Sequence, residues 1–195
     1  MTPLLLLDVD GVLNALGGWE AYPRVWPRWR HGHAHVDSRA YRIVFSPDVT
    51  ERLHAWHDEG RLELQWLTTW GHDANASLRG LLDLPELVVA GTYQDEDAAA
   101  DRQIDGAASH AAVAPAAPDP LTGRWWKYDV VRRVLADQPD RTVLWVDDEL
   151  HDHAGPFRRW AQDQRRVHAI GPAPHTGLTP ADLDLIDSLL RRDFS

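Results

Sequence analysis

Four consecutive leucines, Leu4 to Leu7, run directly into two carboxylates, Asp8 and Asp10, with Gly11 behind them. A continuous apolar run of this length reads as a strand buried on both faces. Comparable runs recur at 62–67, 87–90, 142–146 and 167–170. Between them the apolar spacing changes to the helical period. Val49, Leu53 and Trp56 lie between Ser46-Pro47, an N-cap followed by proline at the first helical position, and the terminating Gly60. Residues 73–82 and 157–161 read as further helices, as does the segment opening at Trp125-Trp126-Lys127 with Val130, Val131, Val134 and Leu135. A last helix follows Thr179-Pro180 and carries Leu183, Ile186, Leu189 and Leu190 on one face. Strands alternating with helices predict an α/β fold with a parallel central sheet.

Two stretches interrupt this rhythm. Residues 15–45 hold Trp19, Tyr22, Trp26, Trp29 and Tyr41 interleaved with Arg24, Arg28, Arg30, Arg39 and Arg42. They read as a small β-hairpin flap folding over Asp8, with its turn near Gly32 or near Asp37-Ser38. His31, His33 and His35 alternate, which places them on one strand face. That face is either solvated or, less simply, metal-binding. Residues 92–120 carry six acids against Arg102 and ten alanines, and read as an acidic, Ala-rich loop with a short helix near 97–104. Neither insertion is long enough for a large cap domain, so the expectation is one domain over 1–195.

Composition narrows the chemistry. The chain has no cysteine, which excludes disulfides and thiolate metal sites. The apolar start is too short to span a membrane, and the simplest expectation is a cytoplasmic protein. A net charge of −10 argues against binding along duplex nucleic acid, but not against a small phosphorylated ligand. Nineteen arginines accompany a single lysine, Lys127, at a loop-to-helix junction. Arginine does not substitute for the compact, flexible charge of lysine.

Strand ends then deliver a sequence of groups to one sheet edge, where open α/β sheets bind ligands. Asp8 and Asp10 converge there because residues two apart share a face. Thr68 ends the second run, and Asp147 and Asp148 end a later one. Carboxylates this close repel unless a cation or a shared proton intervenes. Oxygen ligands, a hydroxyl and one ammonium suit Mg²⁺ and phosphate. Gly11 permits a sharp turn and close approach to a ligand. Arginines interleaved with aromatics suit a phosphorylated ligand bearing a flat group.

The four motifs, Asp8-Val9-Asp10-Gly11-Val12, Thr68 in Leu-Thr-Thr-Trp, Lys127 in Trp-Trp-Lys, and Asp147-Asp148 in Val-Asp-Asp-Glu, resemble those of the haloacid dehalogenase-like (HAD) superfamily. Asp-Gly-Val-Leu-Asn, Thr-Thr-Trp-Gly followed by Ala74-Asn75, Trp-Val-Asp-Asp-Glu and a late Gly-Leu-Thr are similar to the HAD domain of Swiss-army-knife RNA repair proteins. The resemblance implies a three-layer Rossmann-like fold and a Mg²⁺-dependent phosphomonoester hydrolase. Asp8 would be the nucleophile, Asp10 the acid and base, Thr68 a phosphate ligand and Lys127 the charge partner. Thr69 is an alternative to Thr68, and Gly11 would line the phosphate site. Asp8, the Asp10 carbonyl, and Asp147 or Asp148 would hold the metal. The substrate would be a phosphorylated small molecule or a nucleotide or oligonucleotide end. The alternatives are a nucleic-acid end-processing phosphatase in RNA repair and a non-catalytic binding module. Trp19, Trp26, Trp70, Trp125 and Trp126 are the tryptophans expected near the site.

Overall fold

A computed structural model describes residues 1–17, 24–95, 125–152 and 155–193. Five parallel strands form the central sheet: β1 (Leu4–Leu7), β4 (Glu63–Trp66), β5 (Val88–Val89), β6 (Val143–Val146) and β7 (Val167–Ile170). Their order is β5-β4-β1-β6-β7, so the leucine strand is central. All four leucines are buried, and alternation sends them to opposite faces. Leu5 and Leu7 pack with Val49, Leu53 and Trp56 of α1 (Pro47–Asp58) and Ile186 and Leu190 of the C-terminal helix. Leu4 and Leu6 pack with Val130, Val131 and Val134 of α4 (Trp126–Asp137) and Phe157. This is the three-layer α/β architecture of the HAD fold, with no large cap domain among the described residues.

The local signals act as expected. The Ser46 side chain accepts a hydrogen bond from the Asp48 N–H and caps α1. Gly60, at φ +66°, follows the helix end. Thr179 and Asp182 exchange hydrogen bonds and start α7 (Pro180–Asp193). The helix expected over 73–82 is two short pieces, α2 (Asp73–Ser77) and α3 (Arg79–Leu82). Leu78 between them is fully buried, and Asp83 in the left-handed region closes the second. Two further helices, α5 (Glu149–Asp152) and α6 (Gly155–Asp163), connect β6 to β7. Residues 96–120 of the acidic loop lie outside the described residues, as do Trp19 and Tyr22. Among the described residues no helix is long and apolar enough to cross a membrane.

The hairpin consists of β2 (Arg30–Val36) and β3 (Arg39–Phe45), and of the two expected turns it uses Asp37-Ser38. Asp37 adopts φ +52°, which Asp tolerates better than most residues. Its inner face carries Ala34, Ile43 and Phe45, all buried. His31, His33 and His35 occupy the exposed outer face with Arg42. The hairpin does not hang freely over Asp8. Ser77 in α2 donates to the His35 carbonyl at 2.5 Å, and Gly32 lies so close to Leu81 that a Cβ would meet it at 2.5 Å. Trp26, expected near the site, is buried and donates to the Leu178 carbonyl. Arg28 is engaged with Asp48 and Glu51 on α1.

Asn75 ties the sheet edge together. Its Oδ1 accepts from the buried Trp66 indole and from the Leu87 N–H, and its Nδ2 donates to the Leu87 carbonyl. Asn75→Ala should lower stability by about 1–3 kcal/mol, because three partners lose hydrogen bonds at once. Urea unfolding measures this, and an unchanged midpoint would refute it.

Candidate active site

The register of three neighbouring strands assembles the site. Leu7 pairs with Val146 on one side and Trp66 on the other. The next residue on β1 is Asp8, and the next on β6 is Asp147, so these carboxylates leave adjacent strands side by side. The Asp8 N–H to Val146 carbonyl bond, 3.1 Å, continues the pairing. Strands about 4.8 Å apart would force the two charges into repulsion. Lys127, the second residue of α4, resolves it. Its ammonium donates to Asp8 Oδ2 at 2.5 Å and to Asp147 Oδ2 at 2.7 Å, and its side chain is 0 % exposed. Trp125, itself buried, places its ring 5.8 Å from the ammonium and packs on Trp145.

The remaining oxygens are also committed. Asp8 Oδ1 accepts from the Val9 N–H at 2.7 Å, and Asp147 Oδ1 from the Glu149 N–H at 3.1 Å. Asp148 lies half-buried against Gly11. Gly11 adopts φ +70°, and a Cβ there would sit 2.2 Å from Asp148 Oδ2. The close approach expected of this glycine is therefore to Asp148. The Gly11 N–H donates to the Asn14 carbonyl, so it is not offered to a phosphate.

Asp8, Asp147 and Asp148 each present a carboxylate oxygen, all within 4.8 Å of one another, and together could hold a metal ion. Asp10 does not join them through its side chain, so its expected part as a ligand rests on its carbonyl. Its carboxylate accepts from Asn14 Nδ2 at 2.6 Å and from the Trp70 indole at 2.9 Å. Thr68 is buried at the end of β4, while Thr69 is exposed. Among the described residues the Thr68 hydroxyl accepts one long bond, 3.4 Å, from the Trp70 N–H. The histidines of the hairpin join no metal-holding group among the described residues. Asn14 was not singled out in the sequence as a site residue, although it closes the same Asp-to-Asn motif.

The charge balance is uneven, with three carboxylates facing one ammonium. Burial would push Lys127 down, but the charges of Asp147 and Asp8 outweigh it and raise its pKa, so it stays protonated. Burial pushes Asp147 well up, with Lys127 as the counterweight. Burial and the nearby Asp8 charge push Asp148 up to about 7. A cluster that takes up protons at neutral pH is suited to a dication instead.

A parallel sheet ending in these motifs defines a haloacid dehalogenase-like domain. The chain belongs to the family described as the HAD domain in Swiss Army Knife RNA repair proteins, whose model matches residues 4–183. HAD domains are in general hydrolases and phosphatases. No curated protein and no solved structure matches the chain.

The Asp148 shift predicts a pH dependence of stability. Between the ordinary carboxylate range and about pH 7, the folded protein keeps a proton that the unfolded chain has lost. Stability is then greatest at the acidic end of that window and falls as pH rises through about 7. In metal-free protein the unfolding midpoint should drop from pH 5 to pH 8 (both about). Asp148→Asn should flatten that slope, and an unchanged slope in the variant would refute the assignment.

Proposed function

We propose that the protein is a Mg²⁺-dependent phosphomonoester hydrolase that works through an aspartyl-phosphate. The observation that carries this reading is the fully buried Lys127 bridging Asp8 and Asp147 beside a third carboxylate. Burying an ammonium and two carboxylates is costly, and a purely apolar packing would serve stability as well. The arrangement has a use when a phosphoryl group arrives, because fixed positive charge then stabilises the charge of the transition state.

Asp8 attacks phosphorus through a carboxylate oxygen, and the bond from phosphorus to the ester oxygen breaks. Asp10 gives that oxygen its proton. Water next attacks the aspartyl-phosphate, Asp10 takes the water proton, and the phosphorus–carboxylate bond breaks to regenerate Asp8. Thr68 donates to a phosphoryl oxygen, and Lys127 offsets the charge on Asp8 and the phosphoryl group. An all-oxygen donor set fits Mg²⁺. Asp8, the Asp10 carbonyl, and Asp147 or Asp148 would hold it, and it would neutralise phosphoryl charge. A phosphorylated small molecule is the simplest substrate.

A second reading is a phosphatase acting on a nucleotide or oligonucleotide end. The family description names RNA repair. The hairpin also offers an exposed outer face with His31, His33, His35 and Arg42, and Arg30 and Arg39 are exposed at its two ends.

One panel tests both. Phosphate release is measured on an aryl phosphate, phosphorylated metabolites and end-phosphorylated oligonucleotides, with Mg²⁺ and with chelator. Release should require Mg²⁺ and fall by at least about a hundredfold in Asp8→Asn. Release that survives this substitution would refute the aspartyl-phosphate route. A salt-sensitive preference for oligonucleotides would support the second reading, and indifference to them would remove it.

A further inference from the structure

Both oxygens of Asp10 are gripped by neutral donors on residues outside its own turn or at its far end. Trp70, in the loop after β4, donates its indole N–H to Oδ2 at 2.9 Å. Asn14 donates its amide to Oδ1 at 2.6 Å. The orientation of that amide is fixed. Asn14 Oδ1 accepts from the Val44 main-chain N–H at 2.9 Å, a group that can only donate, so the nitrogen must face Asp10. Trp70 is supported in turn by Tyr41, whose ring meets it edge-on at 5.3 Å. Val44 and Tyr41 both belong to β3. The hairpin therefore holds Asp10 twice, once through each donor.

We infer that Trp70 and Asn14 form a clamp that positions Asp10 for proton transfer, with the hairpin as its anchor. This inference rests on the phosphomonoesterase reading. A carboxylate has four lone-pair sites, and the clamp fills two. Neither donor can accept a proton, since an indole N–H and an amide NH₂ have no lone pair to offer in this geometry. A proton on Asp10 can therefore pass only to a third group, the leaving oxygen, and the vacated site can be refilled only from water. The clamp fixes direction without competing for the proton. Trp70 is a positioning residue, because it touches Asp10 and not the phosphoryl group in this reading.

A proton donor matters most when the leaving oxygen is basic. An aryl phosphate with an acidic phenol leaves without one, whereas an alkyl phosphate does not. Trp70→Phe leaves an aromatic ring beside Tyr41 and deletes the N–H. Its kcat for an alkyl phosphate should fall about ten- to a hundredfold, and for nitrophenyl phosphate less than about threefold, with KM for both within about twofold. Trp70→Gln restores an uncharged N–H donor, because glutamine Nε2 stands as many bonds from Cβ as tryptophan Nε1 does, and it should recover most of the alkyl-phosphate rate. Thermal unfolding of both variants identifies any loss of fold, and the ratio of the two rates is independent of the fraction folded. Equal losses on both esters, or none on either, would overturn the clamp while leaving the phosphatase reading intact. Absence of turnover by the wild-type protein on either ester would overturn both.

Discussion

An ammonium with no exposed surface cannot stand in a protein interior without partners. Lys127 has two, Asp8 and Asp147, and meeting that need fixes much of the architecture. The partners must come from adjacent strands, because one lysine cannot bridge carboxylates that are not neighbours. β1 must therefore lie beside β6, in a register that brings Leu7 opposite Val146. α4 must begin at the edge where those strands end, and Trp125 must pack beneath the ammonium. A slip of one residue in either strand would turn a carboxylate to the opposite face and leave a buried charge unpaired. The leucines supply the apolar energy, but the ion triad selects which register that energy stabilises.

The strands and most helices were legible because their signals are local. Four leucines in a row, Ser-Pro before a helical period and a glycine after it require no knowledge of the rest of the chain. The meeting of Asp8, Lys127 and Asp147 was legible for a topological reason, since parallel strands end on one edge. What was not legible depended on side-chain direction. Gly11 looked like room for a ligand, but the space above it holds Asp148, which arrives from more than a hundred residues away. The division of 73–82 into two short helices was hidden for a similar reason, because Leu78 is buried by tertiary packing that helix spacing does not report. Arg28 and Trp26 looked like ligand contacts by composition. They are bound to α1 and to the Leu178 carbonyl, and composition cannot distinguish a free guanidinium from an engaged one.

The hairpin illustrates how a small insertion can support a site beside it. Its inner face is apolar enough to dock on α2 and α3, so its position is set by packing rather than by ligand. Once docked, β3 carries Tyr41 and the Val44 N–H to fixed places at the sheet edge. Asn14 then connects the first motif to the insertion that follows it, within one hydrogen-bonded unit. The motif from Asp8 to Asn14 is consequently two devices in one turn, with its first carboxylate built into the ion triad and its last residue into the hairpin base.

That division explains how two carboxylates two residues apart can be given different work. Environment decides the role of a carboxylate more than identity does. Asp8 is held by a buried ammonium that also holds Asp147, and altering its charge disturbs a triad on which the register depends. Asp10 is held by an indole and an amide, which are uncharged, so a proton can come and go without breaking an ion pair. The first environment would suit the proposed nucleophile, which must be ionised and in place when it attacks. The second would suit the proposed acid and base, because donors that cannot take the proton themselves preserve its direction.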